Sequence, residues 1–502
     1  MLRRDGGHLP RAAAPHRGRT APGAERPDVV ARLEESRCRG AFAGGACPVT
    51  GTGGGKVVVV GAGLAGITAA LDCADRGHEV TLLEGRPRLG GATSSFQRQD
   101  LVVDTGQHVF LRCYSAYAAL LGRLGVADGV AVQPRFRVPV LAPRRRGSVL
   151  RRWRLPAPAH LAPVLFGHRL MTLPERIRVA RTAMALRALD VEDPELDRAS
   201  LGDWLRDRGE TERSIRLLWG LLAVAALNAQ PDEASMALAA VVFRRGLLDG
   251  ASNGDIGFYR RPLGDLHGQA AGQALTAAGV DVRLRSTVSE VRRSGERWSV
   301  AVRNGGEIGA DSVVVAVPHR RAAPLLSGLG MPEAARWERL SASPIVNVHV
   351  VYDRHVTDLD MAAVVDSPVQ FVFDRSCAAG VRRGQYLAIS LSAADDCLET
   401  RTADLREEFL PALRELFPRA RDARVLDFFV SREPNATFRQ APGTGALRPP
   451  ARTGVPGLVL AGAWTATGWP DTTEGAVRSG HRAAETVDAD LRRTRHDLEV
   501  TA

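Results

Sequence analysis

The sequence predicts an α/β fold in which a parallel-sheet domain, built from three separated pieces, is interleaved with a mixed α+β domain. Three observations carry this. The run KVVVV (56–60) is continuous and β-branched, the pattern of a strand buried on both faces of a parallel sheet. The same pattern returns far downstream at DSVVVAVP (311–318) and GLVLAGAW (457–464). Between these runs lie long Ala/Leu/Arg segments with helical spacing and short alternating runs of antiparallel type.

Taken in order, residues 1–55 are rich in Arg, Pro, Ala and Gly without apolar periodicity, a composition too poor in burial to order itself, and are read as a disordered leader. Order begins at Lys56. LAGITAALDCADRG then has helical spacing and stops at Gly77, and EVTLLE (79–84) is a second strand, completing a βαβ unit. A basic, Trp-bearing stretch follows, with helices expected over about 158–248. From 265 a helix leads into DVRLRSTVSEV and WSVAVRNG, a small antiparallel sheet. SPIVNVHVVYDR and VQFVFDR, within 343–374, alternate like strands of a separate sheet, and 402–417 reads as an amphipathic helix. The nucleotide domain is therefore expected at 56–130, 265–330 and 425–490, the second domain at 131–264 and 331–424, and a tail at 491–502.

The bulk properties narrow the class. A chain of 502 residues with 45% hydrophobic and 25% charged content is globular. No apolar stretch reaches the ~18–20 residues that span a bilayer, and LLWGLLAVAAL (217–227) reads as a buried helix. The N-terminal arginines are followed by no apolar core of a secretory signal, so a cytoplasmic enzyme, or one peripheral at the inner face of the cell membrane, is expected. The six cysteines show neither CxxC nor metal spacing and are expected to be free thiols, with no metal site. A net charge of +11 points to an acidic partner surface, and Lys56 is the single lysine.

The first chemistry-bearing motif is Gly61-Ala-Gly63-Leu64-Ala65-Gly66, a GxGxxG between a buried strand and a helix. Gly61 permits the tight turn, Gly63 lets a pyrophosphate approach the backbone, and Gly66 lets helix and strand pack. The helix N-terminus faces the phosphates, and Glu84 at the end of the next strand can accept from ribose hydroxyls. This is a dinucleotide site of Rossmann type.

After Glu84 come Gly85, Arg88, Leu89 and the paired Gly90 and Gly91. This pattern resembles the FAD-binding pattern of the amine oxidase and phytoene desaturase superfamily. The resemblance implies a glutathione-reductase-type, Rossmann-type FAD-binding domain interleaved with a mixed α+β substrate domain. It also implies returns of the chain to FAD at Gly106, Gln107 and His108, at Val288 beside the adenine, and in the block from Gly462 to Gly480. In that block Gly462 lies by the phosphates, and Glu474, Gly475, Ala476 and Val477 open a helix toward the flavin, where a helix N-terminus stabilises negative charge.

VDTGQHVFLRCYSAY (103–117), LLAVAALNAQPDEAS (221–235), SPIVNVHVVYDR and WTATGWPDTTEGAVRSG together are similar to the hydroxysqualene dehydroxylases, also called squalene-associated FAD-dependent desaturases. The resemblance spans 56–490. It implies reductive removal of a hydroxyl from hydroxysqualene, giving squalene for hopanoid or related triterpenoid synthesis, with an external electron donor. Two positions depart from the superfamily. Ala463 stands where an aspartate is usual and Ala92 where a basic residue is common, while Asp471 replaces a small residue of the dehydroxylases.

Loss of an allylic hydroxyl as water needs a proton donor and a dry apolar cavity. His108 and Tyr114 are the donor candidates, Asp104 is read as a turn or cap residue, and Trp464 and Trp469 as shaping the cavity or packing. Residues 135–154 hold eight arginines with Phe136 and Trp153 interleaved, which suits an anionic membrane surface from which a long isoprenoid is collected, or else a solvated hairpin. No nucleic-acid module accompanies it. Three other readings compete: a carotenoid-type desaturase, a flavin amine oxidase (disfavoured because Lys56 precedes the first strand), and a non-catalytic FAD- and lipid-binding subunit.

Overall fold

The structure is a computed structural model that describes residues 54–303 and 305–501, with side chains as far as His496. All of the expected leader but Gly54 and Gly55 lies outside the described residues.

Five parallel strands form the nucleotide sheet in the order Asp281–Arg283, Glu79–Leu83, Lys56–Val60, Ser312–Val315, Leu458–Leu460. The first strand is central because its valines are apolar on both faces: Val57 pairs with Val80 on one side and Ser312 on the other. The chain leaves this strand toward one edge and returns on the other side, so a crevice opens beyond Val60, where doubly wound sheets bind ligands. Helix Leu64–Asp75 is buried at every position from Leu64 to Cys73. It is sandwiched between the sheet and helix Thr473–Thr501, which comes so close that a Cβ on Gly480 would lie 2.5 Å from the Ala65 carbonyl oxygen. That last helix corrects the expected tail: the chain stays helical to Thr501, held by Leu491 packing at the start of the first strand.

The second sheet has seven strands, ordered Val425–Phe438, Ala342–Tyr352, Gln385–Ser392, Phe371–Asp374, Met361–Val364, Arg137–Leu141, Ser148–Arg151. Val425–Phe438 pairs along almost the whole of Ala342–Tyr352, so the domain boundary expected at 425 is displaced: the chain rejoins the parallel sheet only at Leu458. The strand's ladder partners lie in the second sheet, and they decide its domain. Alternation in SPIVNVHVVY also has a different meaning from half-exposure. Val346, Val348 and Val350 pack with Leu405, Phe409 and Leu413 of helix Thr402–Leu416, while Asn347 and His349 on the other face are equally buried, facing the molecule's interior. The small antiparallel sheet is present as Val288–Ser294, Arg297–Val302 and Gly306–Ala310. The helical region is broken into shorter pieces, with π-helical turns at Ile215–Trp219 and Arg244–Leu248.

Candidate active site

The glycine loop closes the crevice. Gly61 has φ +103°, and its N–H donates to the Leu83 carbonyl at 2.8 Å. A Cβ on Gly66 would sit 1.8 Å from the Gly61 carbonyl oxygen, so helix and turn touch through backbone alone. Gly63 precedes the helix in extended conformation, and no side chain caps that helix, which leaves its first N–H groups free to meet an anion. Leu64 and Ala65 point their side chains into the core and offer only backbone.

The paired glycines form the facing wall. Gly90 (φ +98°) donates its N–H to the Ala62 carbonyl at 2.9 Å. A Cβ on Gly91 would fall 2.9 Å from the Gly63 Cα, whereas a Cβ on Gly63 finds nothing nearer than Gly91 Cα at 3.9 Å. Glu84 lies beside the loop, its Oε2 accepting from the Ala62 N–H at 2.9 Å and its Oε1 from the Arg86 N–H at 2.8 Å. Each oxygen keeps lone-pair capacity for a hydroxyl. The Glu84 carbonyl accepts from the Ser286 N–H, and Gly85 packs on Thr287, which carries the buried Val288 to the same end of the sheet. Arg88 is exposed and reaches the Ser94 hydroxyl.

The segment after Asp104 threads between these walls and the terminal block. Asp104 caps a distant helix and does more: its buried carboxylate takes hydrogen bonds from the N–H of Leu263, where a helical segment opens, from Ser95 Oγ and from Arg375 Nη2, tying three parts of the chain together. Thr105 Oγ1 donates to the Ala92 carbonyl at 2.7 Å, setting Gly106, Gln107 and His108 against the second glycine turn. Both amide atoms of Gln107 are buried without a partner among the described residues. His108 has its pKa lowered by burial, with the Asp104 charge opposing, so its ring is neutral near pH 7. Tyr114 meets the edge of Trp469 with centroids 5.7 Å apart, and burial raises its phenol well above the ordinary value, so it keeps its proton.

The terminal block is where sequence and structure differ most. Gly462 (φ +139°) gives its N–H to Ser479 Oγ at 2.8 Å and its carbonyl to Thr465, so it shapes the turn rather than supplying a phosphate donor. Glu474 is fully buried and turned away from the expected direction: it accepts from the Ala116 and Tyr117 N–H groups and from Arg478 Nε at 2.7 Å. It caps helix Ser115–Arg123, which has no cap of its own side chains, and three hydrogen bonds engage its carboxylate. Gly475 and Ala476 begin the last helix, and Val477 is in the core. The buried Thr473 hydroxyl has no partner among the described residues.

Arg448 was invisible in the motif. Its buried guanidinium donates to the carbonyls of Ala463, Thr465 and Trp469 at 2.9, 2.6 and 2.8 Å, and burial lowers its pKa to about 10. Only the folded loop brings those carbonyls together, and the isolated RPP of the sequence carries no hint of them. Asp471 does not substitute for the aspartate missing at 463: its Oδ2 accepts from the Phe438 N–H at 2.9 Å, tying the block to the second sheet. Trp464 is likewise fixed, donating to the Val317 carbonyl at 3.0 Å. Cys73, Cys113, Cys377 and Cys397 are free thiols; burial raises Cys73 and Cys113 to about 12, which leaves them protonated and unreactive. Cys38 and Cys47 lie outside the described residues.

This chain's residues fit FAD. Two backbone walls without side chains face one another, an uncapped helix N-terminus points between them, a carboxylate stands ready for ribose, and the Gln107 amide waits unpaired at the junction. Such a fold and site define a dinucleotide-binding flavoprotein oxidoreductase with FAD as cofactor. The chain belongs to the flavin containing amine oxidoreductase family, whose pattern matches residues 64–488. It is 29% identical to the hydroxysqualene dehydroxylase of Sinorhizobium fredii over 86% of this chain and 97% of the relative. It is 28% identical to the 15-cis-phytoene desaturase of Narcissus pseudonarcissus over 93% of this chain and 85% of that one. Among solved structures, cyclohexylamine oxidase from Brevibacterium oxydans superposes with a TM-score of 0.68 at 19% identity, covering 88% of this chain and all of the other. Putrescine oxidase bound to putrescine gives 0.64 at 20%, covering 87% and 99%.

Proposed function

We propose that the protein removes the hydroxyl group of hydroxysqualene reductively, releasing water and giving squalene for triterpenoid synthesis. One proton and one hydride enter and water leaves. The observation that carries this reading is the placing of two proton-holding groups, the Tyr114 phenol and the His108 ring, on one segment between the second glycine turn and the terminal block. Reduced FAD, when bound, supplies the hydride. Tyr114 Oη or a His108 ring nitrogen holds the proton for the departing oxygen, while buried Trp464 and Trp469 help keep water out. Burial has the larger effect on the His108 ring, and the Asp104 charge and the Ala92 backbone oppose it, both favouring a proton there. Glu84, Gly63, Gly91, Gln107 and the N-terminus of the first helix hold the cofactor, which an external reductant recharges.

The similarity to phytoene desaturases supports a second reading, oxidation of a polyisoprenoid on the same scaffold. An amine oxidase that relies on a lysine beside the flavin is disfavoured, because Lys56 sits at the far end of the first strand, paired with Glu79. No helix among the described residues is long and apolar enough to cross a membrane; a peripheral position at the inner face of the membrane is part of the proposal.

The deciding experiment incubates anaerobically reduced, FAD-loaded protein with hydroxysqualene in detergent and assays squalene. Formation of squalene, reduced in Tyr114→Phe or His108→Ala protein that retains its flavin, supports the reading. Conversion of phytoene with no squalene formed establishes the desaturase instead, and FAD-loaded protein that converts neither compound points to a non-catalytic FAD- and lipid-binding subunit.

A further inference from the structure

Eight large apolar side chains are conspicuously exposed among the described residues, and six of them fall between 153 and 184: Trp153, Leu155, Phe166, Leu173, Ile177 and Met184. They lie on one short stretch of chain, the loop after strand Ser148–Arg151 followed by helices Ala162–Gly167 and Leu173–Arg187. On the second helix Leu173, Ile177 and Met184 repeat at intervals of four and seven and so share one face, and the opposite face, with Val179, Thr182 and Leu186, is buried. The two helices are clamped together by Arg176, which donates to the carbonyls of Phe166 and Met171. Phe166 is 71% exposed and Leu173 61% exposed.

The charges around this face are one-sided. From Arg151 to Arg187 the only carboxylate is Glu175, and it is consumed by the Thr172 cap and by Thr211. Arg154, Arg169, Arg178 and Arg181 have no carboxylate partner among the described residues. Three arginines of the basic stretch are different. Arg144 pairs with Glu415, Arg145 with Asp366 and Arg152 with the buried Asp255, and Phe136 is in the core. Three of the eight arginines of the basic hairpin are thus paired within the protein, while Arg135, Arg137, Arg146 and Arg151 stay exposed without a carboxylate partner among the described residues, as do the cations beside the exposed apolar face.

We propose that the face built by residues 153–184 docks the protein on an anionic lipid bilayer, with Phe166, Leu173 and Ile177 entering the headgroup boundary and Arg154, Arg169, Arg178 and Arg181 meeting lipid phosphates. Apolar side chains on one side of an amphipathic helix and unpaired arginines at its flank are what such an interface needs. The inner side of this face is continuous with the apolar core of the protein. Val179 and Leu186, on the inner side of the same helix, belong to the apolar cluster that includes Phe371, Phe373 and Trp464. This deepens the reading of an isoprenoid substrate, but vesicle binding tests it without any turnover.

The test is cosedimentation of the full-length, FAD-loaded protein with vesicles of phosphatidylglycerol and phosphatidylcholine in equal parts, and with pure phosphatidylcholine vesicles. Wild type binds the anionic vesicles, and raised salt weakens binding. Leu173→Ser/Ile177→Ser and Arg178→Glu/Arg181→Glu each reduce partitioning by about tenfold or more, while Arg144→Glu/Arg145→Glu changes it by less than about twofold. All these positions are exposed or half-exposed, and unchanged thermal melts and flavin content confirm folding. Equal binding by wild type and Leu173→Ser/Ile177→Ser overturns the proposal. So does a lipid-free dimer of wild type that this variant breaks, since the face then joins two copies of the chain. Retained squalene formation in detergent with lost vesicle binding separates this face from the chemistry.

Discussion

The carboxylate of Glu474 accepts the backbone N–H of Tyr117 at 2.9 Å, although the two residues stand 357 positions apart. One side chain joins the last helix to the helix that follows His108 and Tyr114. Glu474→Ala strips two helix N–H groups and Arg478 of their acceptor. We expect a loss of about 2–4 kcal/mol in denaturant unfolding, with Glu474→Gln, which keeps an acceptor oxygen, losing less than half of that.

The glycines separate folding from cofactor binding. Gly66→Ala places a methyl 1.8 Å from the Gly61 carbonyl, and soluble folded protein is not expected. Gly63→Ala has room in the protein alone, so its cofactor-free melt should match wild type. Its methyl faces the space between the walls, and flavin retention on gel filtration should fall by about tenfold or more. A normal flavin content in Gly63→Ala would remove the phosphate from this loop.

Gln107 holds two buried polar atoms that find no partner among the described residues. Replacing it with Leu should stabilise the flavin-free protein by about 1 kcal/mol and destabilise the flavin-loaded form relative to wild type. Thermal melts of both forms show whether the two shifts have opposite signs.

Arg448 holds the terminal loop by its carbonyls, so Arg448→Met should cost roughly 2–4 kcal/mol and loosen flavin retention. Its neighbour Asp471 is pushed up to about 6, chiefly by burial, with the Phe438 N–H and Arg448 opposing. A carboxyl whose folded pKa is raised contributes most below its unfolded value of 3.8, and that contribution is lost as pH rises through about 6. Asp471→Asn keeps an acceptor for Phe438 and should raise Tm by about 2–4 °C at pH 8, with no gain at pH 4.

Acid should unfold the protein through buried histidines. Burial lowers His267 and His349 to about 3 and His319 to about 4. Each is neutral when folded and binds a proton more readily unfolded, so stability present above pH 6.5 falls as pH drops toward 3. His349 lies on Phe429 with ring centroids 4.4 Å apart, its nitrogens meeting Tyr386 and Ser431. His349→Gln should flatten the decline between pH 6 and pH 4, measured as ΔG of unfolding at each pH.

Local patterns made half of the site readable. KVVVV, GAGLAG and the acid at 84 are contiguous, and steric need at each glycine is a property of the turn itself, so these positions could be read in order. The arrangement of the terminal block was not readable in the same way. Glu474 looked like the first acid of its own helix, and its partners belong to a helix with no sequence relation to it. Arg448 looked like one more arginine in a chain with 67 Lys and Arg. The strand at 425–438 has ordinary strand composition, and nothing in it says which sheet it joins.

By itself, then, the sequence determined the parallel sheet, the glycine turns and a dinucleotide as ligand, because those follow from neighbours within a few residues and from the steric limits of backbone. Tertiary structure alone decided where the committed polar groups point. It turned Asp104 into an ion-pair centre, Glu474 into another helix's cap and Asp471 into a tie to the second sheet, and it paired Arg144, Arg145 and Arg152 while leaving Arg154, Arg169, Arg178 and Arg181 without a carboxylate partner among the described residues. Hydrogen bonds and ion pairs are satisfied by whatever group the fold brings within 3 Å or so, and that distance has no counterpart along the chain.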